Sequence, residues 1–245
     1  MEDFLQILQE EFRTSLKKTV NSAIRQYQFP KAKNLAKVAV GIRRSGKTYF
    51  LFQTMRELIA RDISIEQLLY LNFEDNRLLP ITQKKIGEMI EALYTLQPTL
   101  HDQPCFIFLD EVQNVEGLPL VVRRLLDTKN VEIYITGSSA KLLSKEIATS
   151  LRRRFLSIEI QPYNFQEYLS SKEIPLPSKP FGKRILDQYR AHLLAFFQEG
   201  GFPGVQALST HERLEILQNY VEVVVFRDIV ERHKVSNIKL LKYIE

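Results

Sequence analysis

Gly41-Ile42-Arg43-Arg44-Ser45-Gly46-Lys47-Thr48 decides the fold. A G-x-x-x-x-G-K-[ST] stretch carries meaning only when a strand precedes it and a helix follows it. Both flanks comply: residues 38–40 are apolar, and residues 48–61 show helical spacing. In that geometry successive backbone N–H groups line a concavity and the helix dipole adds positive potential, so fixed donors hold a polyphosphate. Lys47 then reaches the β- and γ-phosphates, and the Thr48 hydroxyl ligates Mg²⁺. The expected nucleotide contacts are Gly41, Ile42, Arg43, Arg44, Ser45, Gly46, Lys47, Thr48 and Tyr49.

Outward from this loop, short apolar runs at 38–40, 68–73, 105–109, 131–135 and 155–160 alternate with helix-patterned stretches at 48–61, 86–94, 118–126 and 140–151. That alternation predicts an α/β chain of the P-loop NTPase kind, a five-stranded parallel sheet sandwiched by helices. Before it, Phe4, Leu5, Ile7, Leu8, Phe12 and Leu16 recur at spacings of three and four, an amphipathic helix with a break expected near residues 13–15 and an end by Pro30. Past Gln161 a proline-containing stretch at 174–180 leads into helical patterns at 184–199 and 212–233, with Gly200 and Gly201 suited to a C-cap. A smaller helical subdomain is therefore expected after the sheet. The expected boundaries are 1–36 for an N-terminal helical segment, 37–165 for the core, 166–234 for the helical lid and 235–245 for the start of a further domain.

Cys105-Phe106-Ile107-Phe108-Leu109-Asp110-Glu111 runs apolar residues into two acids. Burial of the run puts the acids at the carboxyl end of a strand, where open α/β sheets bind ligands. Asp110 then holds Mg²⁺ and Glu111 orients and polarises the water attacking the γ-phosphate, a requirement of an ATPase and not of a nucleotide kinase. Tyr134-Ile135-Thr136-Gly137-Ser138-Ser139 ends another strand in small polar residues. Thr136 or Ser138 would sense the γ-phosphate or hold the attacking water, while Ser138 and Ser139 suit a helix N-cap equally well. Leu151-Arg152-Arg153-Arg154 precedes the fifth strand. Its arginines either complement a helix C-terminus or present an arginine finger to a neighbouring subunit or partner.

Composition sets outer bounds. The 245 residues carry 34 Lys and Arg against 29 Asp and Glu, a net +5 that permits a DNA partner without demanding one. One cysteine and four scattered histidines exclude disulfide scaffolds and zinc modules, and a reducing cytoplasm fits best. No apolar stretch approaches the roughly 20 residues that span a bilayer, so no membrane association is expected. The start Met1-Glu2-Asp3 lacks the basic and apolar regions of a signal peptide.

With these motifs in view the chain resembles the AAA+ superfamily of P-loop ATPases. More narrowly it is similar to a prokaryotic group with an AAA+ core, a helical lid and a separate C-terminal domain. Residues 40–48, 70–75, 108–114, 135–143 and 200–203 carry the likeness, which continues around residues 226–230. The resemblance implies ATP or ADP with Mg²⁺ as ligands, and an arginine finger at Arg154 would require a second copy of the chain or a partner to supply it. Where that group shows Leu-x-Gly-Arg before the fifth strand, Arg153 stands in place of the glycine, and Arg154 keeps the arginine. Such relatives run beyond residue 245, so a C-terminal domain is expected to be missing from this chain. A slow nucleotide-gated switch and a DNA-associated ATPase stand as alternatives to steady hydrolysis.

Overall fold

The fold was analysed in a computed structural model whose described residues are 1–20, 22–137 and 154–223. Five strands form one sheet: β1 (Ala36–Val40), β2 (Leu68–Asn72), β3 (Cys105–Asp110), β4 (Val131–Gly137) and β5 (Phe155–Glu159). Their order is β2-β3-β4-β1-β5 and every pairing is parallel. The sheet and its flanking helices match the expected P-loop architecture. Helices α1 (Glu2–Lys18), α2 (Lys47–Ile59), α3 (Gln83–Leu96) and α4 (Leu118–Thr128) accompany it. The break expected near residues 13–15 is not there, because Phe12 and Leu16 stay on one buried stripe and hold the α1 turn between them.

The inner strands β3 and β4 are near-continuous apolar runs because both faces of the sheet are covered there, and their period of two divides them cleanly. The edge strand β5 is half exposed. Val38, Val40, Leu69, Leu71, Ile107, Leu109, Ile133 and Ile135 join one cluster with α3 and α4. Phe106, Phe108 and Tyr134 point to the other face, where Leu51, Phe52 and Met55 of α2 meet them. Phe108 and Tyr134 stack there with centroids 4.6 Å apart.

Helix α1 belongs to both layers. Leu5 enters the first cluster, and Phe12 and Leu16 enter the second. The helix thus runs beside β2, an edge strand, and covers backbone groups that would otherwise invite pairing. Phe12 lies 6.4 Å from the Phe52 ring and 5.6 Å from the Tyr70 ring.

The described residues divide into two compact units. The first comprises Met1–Ser22, Gln26–Gly41 and Lys47–Ile160; the second comprises Ala23–Arg25, Ile42–Gly46 and the chain from Gln161 on. The second unit holds α5 (Phe165–Ser171), α6 (Lys183–Glu199) and α7 (Thr210–Val223). Asn164 and Glu167 form a reciprocal capping box at the start of α5. Phe165, Tyr168 and Phe196 cluster between α5 and α6. The two glycines after α6 have separate duties: Gly200 takes φ 74° as the C-cap, and a Cβ on Gly201 would come within 2.4 Å of the Tyr163 carbonyl. The helix expected at 140–151 and residues 235–245 lie outside the described residues.

Phe12→Ala empties the α1 contact with the second layer. It should cost about 3 kcal/mol, read as a lower urea midpoint at unchanged slope. An unaltered midpoint would show that α1 does not brace the sheet.

Candidate functional site

Parallel strands deliver their carboxyl ends to one edge of the sheet, and the register shows which residues arrive together. Asn72 pairs with Asp110, Leu109 with Ile135, and Val40 with Gly137. Asp110 closes β3 and is fully buried. Its Oδ2 accepts from the Tyr70 hydroxyl at 2.9 Å, its Oδ1 accepts from the Thr136 hydroxyl, and the Thr48 side chain also hydrogen-bonds it. Burial pushes the Asp110 carboxyl above the usual carboxylate range, against the pull of the Thr136, Thr48 and Tyr70 hydroxyls. The same burial, with the Asp110 charge beside it, pushes the Tyr70 phenol well above its ordinary value and keeps it a donor.

Glu111 leaves the strand abruptly with φ 56° and ψ 50°, a left-handed conformation that costs a glutamate on the order of 1 kcal/mol. Its N–H donates to Thr136 Oγ1 at 3.1 Å. The Thr136 hydroxyl therefore donates to one acid and accepts from the backbone of the next. The Glu111 carboxylate accepts from Gln113 Nε2 at 2.8 Å and lies 3.6 Å from Lys47 Nζ. Lys47, buried at the first position of α2, also donates to the Gly41 carbonyl at 3.2 Å.

The loop segment 42–46 has its own surroundings in the second unit. The Ser45 N–H closes a turn onto the Ile42 carbonyl at 3.2 Å, with Arg44 at φ 64°. The Arg44 guanidinium lies over the Tyr220 ring at 4.6 Å. Gly46 sits at φ 96°, and a Cβ there would meet Arg25 Nη1 at 2.6 Å. Ser45 is fully buried and its hydroxyl has no hydrogen-bond partner among the described residues. A cradle that tolerates only glycine and an orphaned hydroxyl inside it fit a bound phosphate chain. The hard oxygen donors of Thr48 and Asp110 fit magnesium.

The sequence model described as an AAA domain matches residues 33–169, more than half of the chain. The chain belongs to this family of AAA+ P-loop ATPases. An uncharacterized protein of Methanocaldococcus jannaschii is 41% identical over 214 residues, covering 85% of this AAA chain and 45% of the relative. An uncharacterized protein of Haemophilus influenzae is 34% identical over 206 residues, covering 84% of this chain and 49% of the relative. The AAA chain thus spans about half the length of these curated relatives. Among solved structures, C. elegans PCH-2 is 14% identical at a TM-score of 0.40, with 92% of this chain and 69% of that chain covered.

Of the residues singled out in the AAA sequence, Lys47, Thr48, Asp110, Glu111 and Thr136 come together at the carboxyl edge of the sheet. Tyr49 is half exposed on α2. Arg154 is at the opposite edge: its carbonyl accepts from the N–H of Ala36, the first residue of β1, and its side chain pairs with Asp127 at the end of α4. Within one chain it does not join the acids. Ser138 and Arg153 lie outside the described residues. Tyr70, Arg25 and Glu167 escaped the sequence reading. The Asn164-x-x-Glu167 spacing is a capping-box signal that would have marked Glu167, whereas nothing local marks Tyr70 or Arg25. Among the described residues no helix is long and apolar enough to cross a membrane.

A carboxyl whose folded pKa is raised favours the protonated fold, so its stabilising contribution is present below the unfolded pKa and is lost as pH rises through the folded one. Asp110→Asn mimics the protonated form, and the three hydroxyls around it can rotate to suit an amide. The nucleotide-free variant should melt about 2–4 °C above wild type at pH 7, with the gap narrowing in acid. A lower melting temperature at pH 7 would show that the ionised carboxylate is what the fold prefers.

Proposed function

We propose that this chain is the core of a Mg²⁺-dependent ATPase, which binds ATP and hydrolyses it to ADP and phosphate. The observation carrying this reading is the meeting of Lys47, Thr48, Asp110 and Glu111 at the carboxyl edge of the sheet, where α2 begins. Backbone N–H groups of residues 41–48 would hold the phosphate chain, and Lys47 would reach the β- and γ-oxygens. Thr48 and Asp110 would hold magnesium, which when bound neutralises charge on those oxygens. Glu111 would orient water and take its proton as the new bond to the γ-phosphorus forms and the bond to the β-bridging oxygen breaks. Thr136, with its hydroxyl between Asp110 and the Glu111 N–H, would act as a positioning residue; Ser138 remains an expected γ-phosphate contact.

Residues 37–165 would form this core and 166–234 a lid whose position follows the nucleotide state and acts on a domain beginning at 235–245. Arg154 sits at the far edge of its own sheet, so a finger role requires a second copy or a partner. Only the mild charge of +5 points toward DNA. The slow-switch reading has one observation in its favour: Lys47 and Glu111 are paired with each other at 3.6 Å, and a triphosphate must part them before either can act on it.

Lys47→Ala should abolish ATP binding or turnover. Glu111→Gln should keep binding while lowering hydrolysis by about 10²-fold or more. If both variants hydrolyse ATP as wild type does, the mechanism is wrong. Single-turnover half-times of hours with co-purified ADP would make the wild type a switch, whereas steady turnover would exclude that.

A further inference from the structure

Arg25 precedes the first strand and has no place in the mechanism above. Nonetheless it is buried, and its guanidinium serves acceptors from separate stretches of chain. Nη1 donates to the Ser45 carbonyl at 2.6 Å, Nη2 to the Gln161 carbonyl at 2.5 Å, and Nε to Glu167 Oε1 at 3.0 Å, with the Tyr163 ring 5.1 Å away. Glu167, fully buried, spends its other oxygen on the Asn164 N–H at 3.1 Å. A planar fork of donors suits this arrangement and a lysine does not.

Burying such a pair gives little net stability, because desolvation consumes most of the Coulomb gain, and well-packed apolar replacements commonly fold as well. What the pair does give is a fixed direction. In a trans peptide the carbonyl and the following N–H point opposite ways, so pinning the Ser45 carbonyl on Arg25 aims the Gly46 N–H away from Arg25. Glycine at 46 belongs to the same arrangement: the guanidinium fills the space a Cβ would need, and the peptide is free to take φ 96°. The Ser45 hydroxyl, buried with no partner among the described residues, is a further group in this turn that a ligand oxygen would satisfy.

We infer that Arg25, anchored by Glu167, is a positioning residue for the phosphate loop, holding the Ser45–Gly46 peptide with its N–H turned toward the phosphate chain of a nucleoside triphosphate. The inference rests on the ATP-binding reading above. It adds a residue outside the loop motif on which phosphate affinity depends.

The test uses the full chain as wild type, Lys47→Ala, Arg25→Lys and the double variant Arg25→Met with Glu167→Leu. Thermal melts and circular dichroism report folding; titrations with a fluorescent ATP analogue, and competition by inorganic tripolyphosphate, report binding. The double variant removes both charges but leaves the Ser45 and Gln161 carbonyls without Arg25, so it should fold with a lowered melting temperature and bind both the analogue and tripolyphosphate about tenfold more weakly. Arg25→Lys keeps the charge beside Glu167 but loses the fork, and should weaken both ligands severalfold. Should the double variant fail to fold, Arg25→Lys decides alone. A folded double variant, or failing that a folded Arg25→Lys, that binds both ligands within twofold of wild type overturns the positioning role and leaves the ATP reading intact. Absence of saturable binding by folded wild type, equal to Lys47→Ala, overturns the ATP reading and the positioning role with it.

Discussion

A buried carboxylate held by hydroxyl groups is the constraint around which the sheet edge is arranged. Asp110 ends the interior strand β3, and three side chains from β2, β4 and α2 turn hydroxyls toward it. Hydroxyls satisfy its lone pairs without supplying the positive charge that would offset its desolvation. The folded chain thus keeps an acid that is costly to ionise beside the start of α2. A divalent cation bound there would change that balance, so the stability of the free protein and the proposed magnesium binding would oppose each other at this position.

Support for the carboxylate, and separately for the loop, comes from outside the loop motif. Tyr70 is held by its ring contacts with Phe12 and Phe52, so α1, at the very start of the chain, braces a donor to Asp110. Within the second unit, the Arg25 and Glu167 pair fixes a carbonyl of the turn itself. Neither support lies near the motif in sequence. The first follows from the way a parallel sheet gathers distant segments at one edge.

Much of this was legible beforehand, for a physical reason. Phosphate binding needs main-chain donors in a tight turn, so residues 41–48 must be contiguous and carry glycine where only glycine fits. Fully buried parallel strands must read as apolar runs, so 105–110 and 131–135 announced themselves, and Asp110 and Glu111 with them. Tyr70 did not, because a tyrosine in an apolar strand looks like core until the register sets it opposite Phe108, beside the acid. Arg25 did not, because its acceptors are carbonyls, which every residue has. The short α5 went unread although its capping box was in plain view, since seven residues are too few for the periodicity that identifies longer helices. Arg154 was matched by motif alone, and its place at the amino edge of the sheet appears only once β5 is paired with β1.

One hydroxyl hydrogen cannot serve two masters. Thr136 lends its hydrogen to Asp110 and its lone pair to the peptide of Glu111, so the two acids are joined like the arms of a rocker on a pivot set in β4. A displacement of the first acid would bear on that hydroxyl, and through it on a peptide that already lies in the left-handed region. If the proposed roles hold, the acid that orients water and the acid that holds the cation share one hydroxyl of β4, a single strand away from both.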